Sequence, residues 1–275
     1  MRRAFAGVVV ASFLALPVSA AELGRGDWRQ QREAIEAFLL AAEVVEEEDI
    51  PIGVTKPKRL TLEHAGERAR ASWKTYEMVA PRVLYPDGRS EINFRDSYRH
   101  ELAAYELDQM LGLDLVPPTV FRKIGKKKGA LRIWVEDSMT EAERLRSRIE
   151  VPDPEAWIRQ MSTVRLFYAL IYNSDYKNVS NLVVDADFRI STIDLSRGFG
   201  VKKELLGELR LSRVARPVLE RLVVLDKDSI EGRLGRWLTK LQVRTLLKRR
   251  DLLLARFEAL IETKGEDAVV FDPAV

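Results

Sequence analysis

The stretch LIYNSDYKNVSNLVVDADFRISTIDLSRGF, residues 170–199, contains the most informative pattern of polar and apolar residues in this chain. Two short apolar runs in it, residues 182–185 and 190–193, flank a turn over 186–189 and predict a β-hairpin. We expect Asn181 and Asp194 to face each other at the open end of this hairpin, where opposed Cβ atoms lie roughly 5 Å apart. An amide oxygen and a carboxylate so placed can share a hard cation such as Mg²⁺.

A further carboxylate precedes the hairpin. Asp175 lies six residues before Asn181, at the end of a helix predicted over residues 154–172, and it could reach the same edge. Taken singly, each of these residues is typical of a turn or a helix cap, because Asp and Asn side chains bond to nearby backbone groups. As a set that flanks one hairpin they favour a metal and phosphate site.

The remaining patterns separate strands from helices along the chain. Residues 68–74 alternate apolar and polar side chains, which indicates a strand with one buried face that ends at Lys74. Ser97 and Gly112 bracket a helical pattern. Further strands are predicted over 119–123 and 130–135, and further helices over 27–45, 211–225 and 240–262. This segregation predicts an α+β fold with a strand-rich N-lobe and a helical C-lobe, and a cleft between lobes is a usual ligand site.

Composition narrows the possible chemistry. The 275 residues contain no cysteine and two histidines, His64 and His100. Disulfides, thiolate zinc sites, cysteine nucleophiles and a three-histidine zinc site are therefore excluded. The motifs G-x-S-x-G and H-E-x-x-H are also absent from the sequence, which leaves a hydrolase poorly supported.

The first twenty residues have the pattern of an export signal. Arg2 and Arg3 open the chain, an apolar run covers residues 4–17, and Val18-Ser19-Ala20 follows where a signal peptidase requires small residues. The run is short for a membrane span, so we expect cleavage near Ala20 and an exported, periplasmic or secreted protein; an uncleaved N-terminal anchor is the alternative. Cleavage would leave a near-neutral chain with no transmembrane span, for which no nucleic-acid partner is expected.

The hairpin segment carries a resemblance to a known family. Asn173-Ser174-Asp175, Asn181 and residues 193–199 (IDLSRGF) resemble the catalytic loop and metal-binding segment of atypical kinases. Within that superfamily, the chain resembles the group that contains the secretory-pathway protein kinases and bacterial phosphatidylinositol 3-/4-kinase-like proteins.

A second stretch supports the same resemblance. Residues 100–108 (HELAAYELD), followed by LG at 111–112 and VPP at 116–118, are similar to the αC helix of that group and the segment after it. The resemblance covers roughly residues 38–199 in matching order and implies a two-lobed protein-kinase-like fold. The expected organisation is a signal peptide over 1–20, an N-lobe over 21–136 with the αC-like helix at 97–111, and a C-lobe over 137–275 with the catalytic and metal-binding segment at 173–199.

The resemblance implies roles for five side chains. Lys74 and Glu101 would grip the phosphates of ATP, and Glu101 would also help to hold metal. Asp175 would orient or deprotonate the acceptor hydroxyl group, and Asn181 and Asp194 would ligate Mg²⁺ or Mn²⁺. Without the resemblance, Lys74 is equally a solvated lysine on a strand face, and Glu101 is a first-turn glutamate that suits the helix dipole.

Two segments would hold the rest of the nucleotide. Residues 53–55 lie where the phosphate-covering loop belongs, although a single glycine there also fits a plain turn. Adenine would lie against the backbone of residues 134–136, where one lobe passes to the other; the tryptophan side chain there is by itself more typical of a core position. The cofactor-binding candidates are Gly53, Val54, Thr55, Lys74, Trp134, Val135 and Glu136.

These roles predict an exported atypical kinase that transfers the γ-phosphate of ATP to a hydroxyl group of an unidentified protein, lipid or glycan. Two departures from the family pattern stand out. The spacing between Asp175 and Asn181 is one residue longer than in typical kinases, which makes Asn178 the alternative metal ligand to Asn181. Tyr176 also stands where many relatives have arginine. A catalytically inactive pseudokinase that serves as a binding or scaffold module is therefore the alternative.

Overall fold

The computed structural model describes residue 23 and residues 27–50, 57–85, 88 and 90–273. Within these ranges the chain forms the α+β fold that the sequence predicts, with most strands in the first half and most helices in the second. The strands are β1 (Glu43–Asp49), β2 (Lys58–His64), β3 (Glu67–Lys74), β4 (Glu77–Leu84), β5 (Ser90–Ser97), β6 (Thr119–Ile124), β7 (Lys127–Ile133), β8 (Met139–Thr140), β9 (Leu182–Val184), β10 (Ile190–Thr192), β11 (Val214–Ala215) and β12 (Val270–Phe271). The helices are α1 (Arg32–Ala41), α2 (Tyr98–Leu111), α3 (Glu141–Arg146), α4 (Pro154–Ile171), α5 (Arg216–Val224), α6 (Lys227–Leu234), α7 (Lys240–Lys264) and α8 (Glu266–Val269).

The sequence predicts an export signal at the N-terminus and no transmembrane span in the rest of the chain. The proposed export signal, residues 1–20, lies outside the described residues. In the part of the chain that is described, no helix has both the length and the apolar character that crossing a bilayer requires.

An antiparallel sheet forms the N-lobe, and in the described residues it has five strands in the order β1-β2-β3-β7-β6. The alternation along β3 gives the sheet two different faces. Trp73 and, from β7, Leu131 point into an apolar core that α1 covers. Ser72 pairs with Arg132 on the other face, two residues before Lys74. At Ser72, Lys74 and Arg132 that face is turned toward α2 and the cleft between the lobes, so these three polar side chains are buried as well.

Helix α2 begins and ends where its flanking residues dictate. Ser97 has an extended backbone, and its hydroxyl group accepts a hydrogen bond from Arg99 N (3.1 Å). Gly112 takes the left-handed conformation, with φ of 56°, that closes the last turn. Leu107 and Leu111 pack into the core of the C-lobe, and α2 also contacts β7 of the sheet. The helix therefore lies at the boundary between the lobes.

Helices α4 and α7 form the centre of the C-lobe. Phe167 of α4 and Phe257 of α7 are fully buried in the same apolar cluster. Arg249 of α7 is buried too, and it donates hydrogen bonds to Leu170 O (2.7 Å) and Gly200 O (2.9 Å). Because these two carbonyl groups lie just outside residues 173–199, α7 fixes both ends of the segment that the sequence singles out.

Strands β4 and β5 form a separate hairpin that the sequence patterns do not predict. It is inserted between β3, which ends at Lys74, and α2, which carries Glu101. A hydrogen bond from Ser97 N to Ser196 O (3.1 Å) joins its base to the C-lobe. The hairpin therefore stands beside the segment that follows Asp194.

The first helix, predicted over residues 27–45, is wrong at both ends. Helix α1 begins at Arg32 and ends at Ala41, and residues 43–45, which the pattern assigns to the helix, belong to strand β1 (Glu43–Asp49). Strand β1 pairs with β2, for example Glu47 with Leu60. Pairing along one edge provides hydrogen-bond partners for the backbone groups of β1, while the glutamate side chains stay exposed. A strongly acidic stretch can therefore form an edge strand.

Candidate active site

Four charged side chains meet between the lobes. Lys74, at the end of β3, donates to Glu101 Oε1 of α2 (2.6 Å) and to Asp194 Oδ1 (2.5 Å). Arg132 of β7 donates to the other oxygen of the same glutamate, Oε2 (3.1 Å). The exposed fractions of Lys74, Glu101 and Arg132 are 7%, 2% and 7%. Two cations thus balance two carboxylates. Buried charged groups need such opposite charges in order to stay ionised.

The pKa values of Lys74 and Asp194 are displaced in the directions that keep both groups charged. Burial by itself would lower the pKa of Lys74, but the carboxylates of Glu101 and Asp194 outweigh it, and the pKa is raised. Burial would raise the pKa of Asp194, but the ammonium group of Lys74 outweighs it, and this pKa is lowered. The contact is an ion pair at neutral pH, and Lys74 is buried rather than solvated.

A buried network fixes the position of Asp194. Its φ of 56° lies in the left-handed region, which aspartate tolerates better than most residues. The hydroxyl group of Ser196 donates to Asp194 Oδ1 (3.2 Å), and the carbonyl group of Ser196 lies 2.7 Å from His100 Nδ1. The other ring nitrogen of His100 lies 2.9 Å from Gln242 Nε2. Since His100 precedes Glu101 in the chain, this network joins α2, the Asp194 segment and α7.

A short 3-10 turn brings Asp175 and Asn181 together. Asn181 Nδ2 donates to Asp175 Oδ2 (2.9 Å), and Asn178 Nδ2 donates to the same oxygen (3.2 Å). The turn covers Val179–Asn181, and Asn178 caps it by accepting from Ser180 N (3.2 Å). The longer spacing noted in the sequence is therefore absorbed locally, and both asparagines contact the carboxylate.

The predicted opposition of Asn181 and Asp194 is wrong by one residue. Thr192 pairs with Leu182 in the hairpin. Asn181 consequently faces Ile193, whose backbone N donates to Asn181 O (2.8 Å). Asn181 is thus held beside Asp175, whereas Asp194 lies one residue beyond the pair and contacts Lys74.

The turn of the hairpin explains this shift. Phe188 takes a left-handed φ of 57°, and the carboxylate of Asp185 accepts hydrogen bonds from Asp187 N and Arg189 N (2.9 Å each). The turn therefore closes over residues 186–188 instead of 186–189. Losing one residue from a turn moves every pair along the strands by one position.

A cavity of about 300 Å³ opens between the lobes beside the charged cluster. Trp134 and Val135 line it from the connection between the lobes, and Ser72 and Arg132 line it from the sheet. Trp134 is half-buried and forms part of the wall of this cavity. It therefore does not occupy the core position that is typical of a tryptophan side chain.

Of the remaining nucleotide candidates, the structure describes Glu136. The carboxylate of Glu136 accepts from Arg70 Nε (2.7 Å) on the sheet and does not line the cavity of Trp134. Gly53, Val54 and Thr55 fall between β1 and β2 but lie outside the described residues.

A larger cavity, of about 890 Å³, lies next to the Asp175 loop. Ser174 and Tyr176, which flank Asp175, line it together with Glu91 and Arg197. The guanidinium group of Arg197 pairs with the Glu91 carboxylate (2.5 Å) and so joins the β4–β5 hairpin to the C-lobe. The hairpin forms one wall of a space that reaches the Asp175 loop.

The ligands for a divalent cation are incomplete in the protein alone. Among the described residues, no group of three or more His, Cys, Asp or Glu side chains is arranged to hold a metal ion. Both oxygens of Glu101 already accept from cations. Asn181 Oδ1 accepts from Asn178 Nδ2 (3.3 Å), and Asp194 Oδ1 accepts from Lys74 Nζ. These two hard oxygen donors would have to turn from their present partners to a cation, and phosphate oxygens of a nucleotide would have to complete the coordination shell.

An unpaired hydroxyl group lies near the same carboxylates. Tyr168 Oη is buried and has no hydrogen-bond partner in the described part of the chain. Burial first, and then the charges of Asp175, Asp194 and Glu101, raise the pKa of Tyr168. A buried hydroxyl group among carboxylates needs a polar partner, so the site fits a hydrated ion or phosphate held by Asp194 and Asn181.

The architecture is similar to that of solved kinase structures. Hydra Fam20, solved with a sugar, superposes with a TM-score of 0.65 at 14% sequence identity, over 94% of this chain and 100% of that chain. The Golgi casein kinase gives a TM-score of 0.61 at 12% identity, over 89% of this chain and 79% of that chain. A structure of the Golgi casein kinase with Mn/ADP bound gives 0.60 at 12% identity, over 90% and 81%. The chain has an atypical kinase-like fold.

No family model matches the chain, and no curated protein matches it. At such low identity the structural likeness establishes the fold alone, because one fold can carry different activities.

The sequence analysis did not assign four residues to the site that the structure places there: Arg132, His100, Tyr168 and Gln242. Arg132 carried a usable signal, because a charged residue within the apolar stretch ALRIWV is expected to have a buried partner. His100 stood next to Glu101, but its contact with Ser196 depends on the tertiary fold. Tyr168 and Gln242 lie in helical patterns that predict only packing.

Proposed function

We propose that this protein is a metal-dependent kinase that transfers the γ-phosphate of ATP to a hydroxyl group. The proposal depends mainly on the contacts that the buried Lys74 makes with both Glu101 and Asp194, beside a cavity between the lobes. Phosphoryl transfer depends mainly on positioning and on neutralising phosphate charge, and a lysine so placed supplies both.

The nucleotide would enter the cavity of about 300 Å³. The adenine base would lie against the backbone at Trp134 and Val135. Gly53, Val54 and Thr55 would cover the phosphates. Glu136 would hold the connection between the lobes to the sheet through Arg70. Lys74 would then contact phosphate oxygens. Asp194 and Asn181 would hold Mg²⁺ or Mn²⁺, which supplies further neutralisation of phosphate charge.

Asp175 would orient the acceptor hydroxyl group and accept its proton. The amides of Asn178 and Asn181 hold its carboxylate by Oδ2, which fixes the direction of the group. The cavity of about 890 Å³ beside the loop gives the acceptor a route to it. Proteins, lipids and glycans all carry suitable hydroxyl groups; the sugar in the hydra Fam20 structure makes a glycan one acceptor class to test.

The proposal extends to the organisation of the chain. Residues 1–20 would be removed near Ala20 during export, and the mature protein would act in the periplasm or outside the cell. An N-lobe over 21–136 and a C-lobe over 137–275 would enclose the nucleotide, with α2 in the place of the αC helix.

Thermal unfolding with ATP and Mn²⁺ or Mg²⁺ tests the nucleotide site. A ligand at 100 times its dissociation constant adds about 2.7 kcal/mol, which raises Tm by roughly 5 °C or more in a protein of this size. Asp194→Asn is expected to abolish this shift and the formation of ADP. Asp187→Asn, an exposed aspartate at the turn of the same hairpin, is the matched control and should keep both.

The result that would overturn the proposal is an Asp194→Asn variant that is folded and still turns over ATP at the wild-type rate. A wild-type protein that binds nucleotide without any turnover would instead favour the pseudokinase. That second candidate is supported by Glu101, whose two oxygens are both engaged by cations and leave fewer carboxylates for metal.

A further inference from the structure

We propose that Arg132 is a positioning residue that keeps Glu101 paired and in place when Lys74 turns to the phosphates of a nucleotide. The nucleotide part of this inference rests on the proposed kinase function. The part that concerns Glu101 rests only on the contacts of the protein itself.

The two cations hold different oxygens of one carboxylate. Lys74 Nζ lies 2.6 Å from Glu101 Oε1, and Arg132 Nη1 lies 3.1 Å from Glu101 Oε2. Because the contacts do not share an acceptor atom, one can break while the other stays. Glu101 is 2% exposed, so water cannot replace a lost partner.

The sheet fixes Arg132 in the place that this role requires. Arg132 pairs with Ser72 across β3 and β7, and Ser72 is two residues from Lys74 on the same face. The two cations therefore project side by side toward α2. Arg132 also lines the cavity of about 300 Å³, so its guanidinium group adjoins the space in which a nucleotide would lie.

The charges show why one cation would be insufficient. In the structure Lys74 contacts two carboxylates, Glu101 and Asp194. If Lys74 moved to a phosphate group and Asp194 to a metal ion, Glu101 would remain as a buried carboxylate. With Arg132 in place it remains half of a neutral pair, since a guanidinium group stays charged at any ordinary pH.

This arrangement also assigns Glu101 a different use from the metal-holding role that the family resemblance implies. The oxygen that would face a second ligand, Oε2, is the one that Arg132 occupies. Glu101 would thus act through the two cations, and the metal would depend on Asp194 and Asn181.

A stability cycle without nucleotide tests the first part. The variants are Lys74→Met, Arg132→Met, the double variant, and the double variant with Glu101→Gln. Each single variant should lower Tm by a few degrees because one cation still pairs with Glu101. The double variant should fall by clearly more than the sum, and Glu101→Gln should restore most of the excess.

A matched control separates a charge effect from lost packing. Arg68→Met, which removes an exposed arginine of the same strand as Lys74, should be additive with Lys74→Met. Additive losses for Arg132→Met, with no rescue by Glu101→Gln, would refute the pairing.

ATP binding tests the second part. With Arg132→Met, Lys74 is the single remaining cation on Glu101, so the Kd for ATP with Mn²⁺ should rise about tenfold, and adding Glu101→Gln should reverse much of the rise. An unchanged Kd in a folded Arg132→Met variant would overturn the nucleotide role. If the wild-type protein binds no ATP, that role fails together with the proposed function, and the stability cycle still decides the pairing.

Discussion

The imidazole ring of His100 should make the stability of this protein fall with acidification. His100 is 4% exposed, and burial above all lowers its pKa to about 4. In the unfolded chain a histidine has a pKa of roughly 6.5. Between these two values the unfolded state binds a proton that the folded state does not, so stability is complete above about pH 6.5 and is lost as the pH falls toward 4.

The size of the effect follows from the shift. A difference of roughly 2.5 pKa units, at about 1.4 kcal/mol per unit, gives a loss of about 3 kcal/mol by pH 4. The hydrogen bonds explain why the neutral ring is preferred: Nδ1 donates to Ser196 O, so Nε2 is left to accept from Gln242 Nε2. A protonated ring would place a second N–H against the donating amide of Gln242.

Urea unfolding from pH 7 to pH 4 measures this loss. His100→Asn should be less stable than wild type at pH 7, because two buried hydrogen bonds are altered, but its stability should fall less steeply toward pH 4. His64→Asn, at the other histidine of the chain and exposed on β2, should keep the wild-type slope. Equal slopes for wild type and His100→Asn would show that the reasoning about the buried ring is incorrect.

Two further predictions concern catalysis and packing. Asp175→Asn should lower kcat by about 100-fold or more, as expected for loss of a general base, while the thermal shift with ATP and Mn²⁺ stays; loss of the shift as well would show that Asp175 acts in nucleotide binding. Gly129→Ala should cost about 1–3 kcal/mol of stability because of overpacking, since its Cβ would lie 2.2 Å from Lys74 O, whereas Gly207→Ala, with no atom within 4 Å, is the neutral control in the same urea titration.

Local signals sufficed for several elements of the fold. Helix α2 is delimited by Ser97 and Gly112, whose capping chemistry is visible in the sequence and present in the structure. The end of β3 at Lys74 follows from alternation alone. These features depend on neighbours within a few residues, which is the range over which sequence patterns carry information.

Pairings between distant segments could not be predicted in the same way. Strand β1 is acidic and becomes a strand because β2 lies beside it. The hairpin register depends on the left-handed conformation of Phe188, which a residue of that type seldom adopts. The contact of Arg132 with Glu101 joins residues 31 positions apart. The sequence therefore indicates that Arg132 needs a buried partner but does not identify that partner.

The position of α2 has a consequence for how this protein would be controlled. The helix is tied to the C-lobe at its start through His100 and at its end through Arg221, which donates to Leu111 O (2.9 Å). In its middle, Glu106 accepts from Arg236 (2.8 Å). A helix anchored at three points cannot swing outward as a switch without breaking all of them. If the protein is the kinase proposed above, its pair of Lys74 and Glu101 would therefore be assembled before the nucleotide binds, and control of the reaction would depend on the delivery of nucleotide and acceptor.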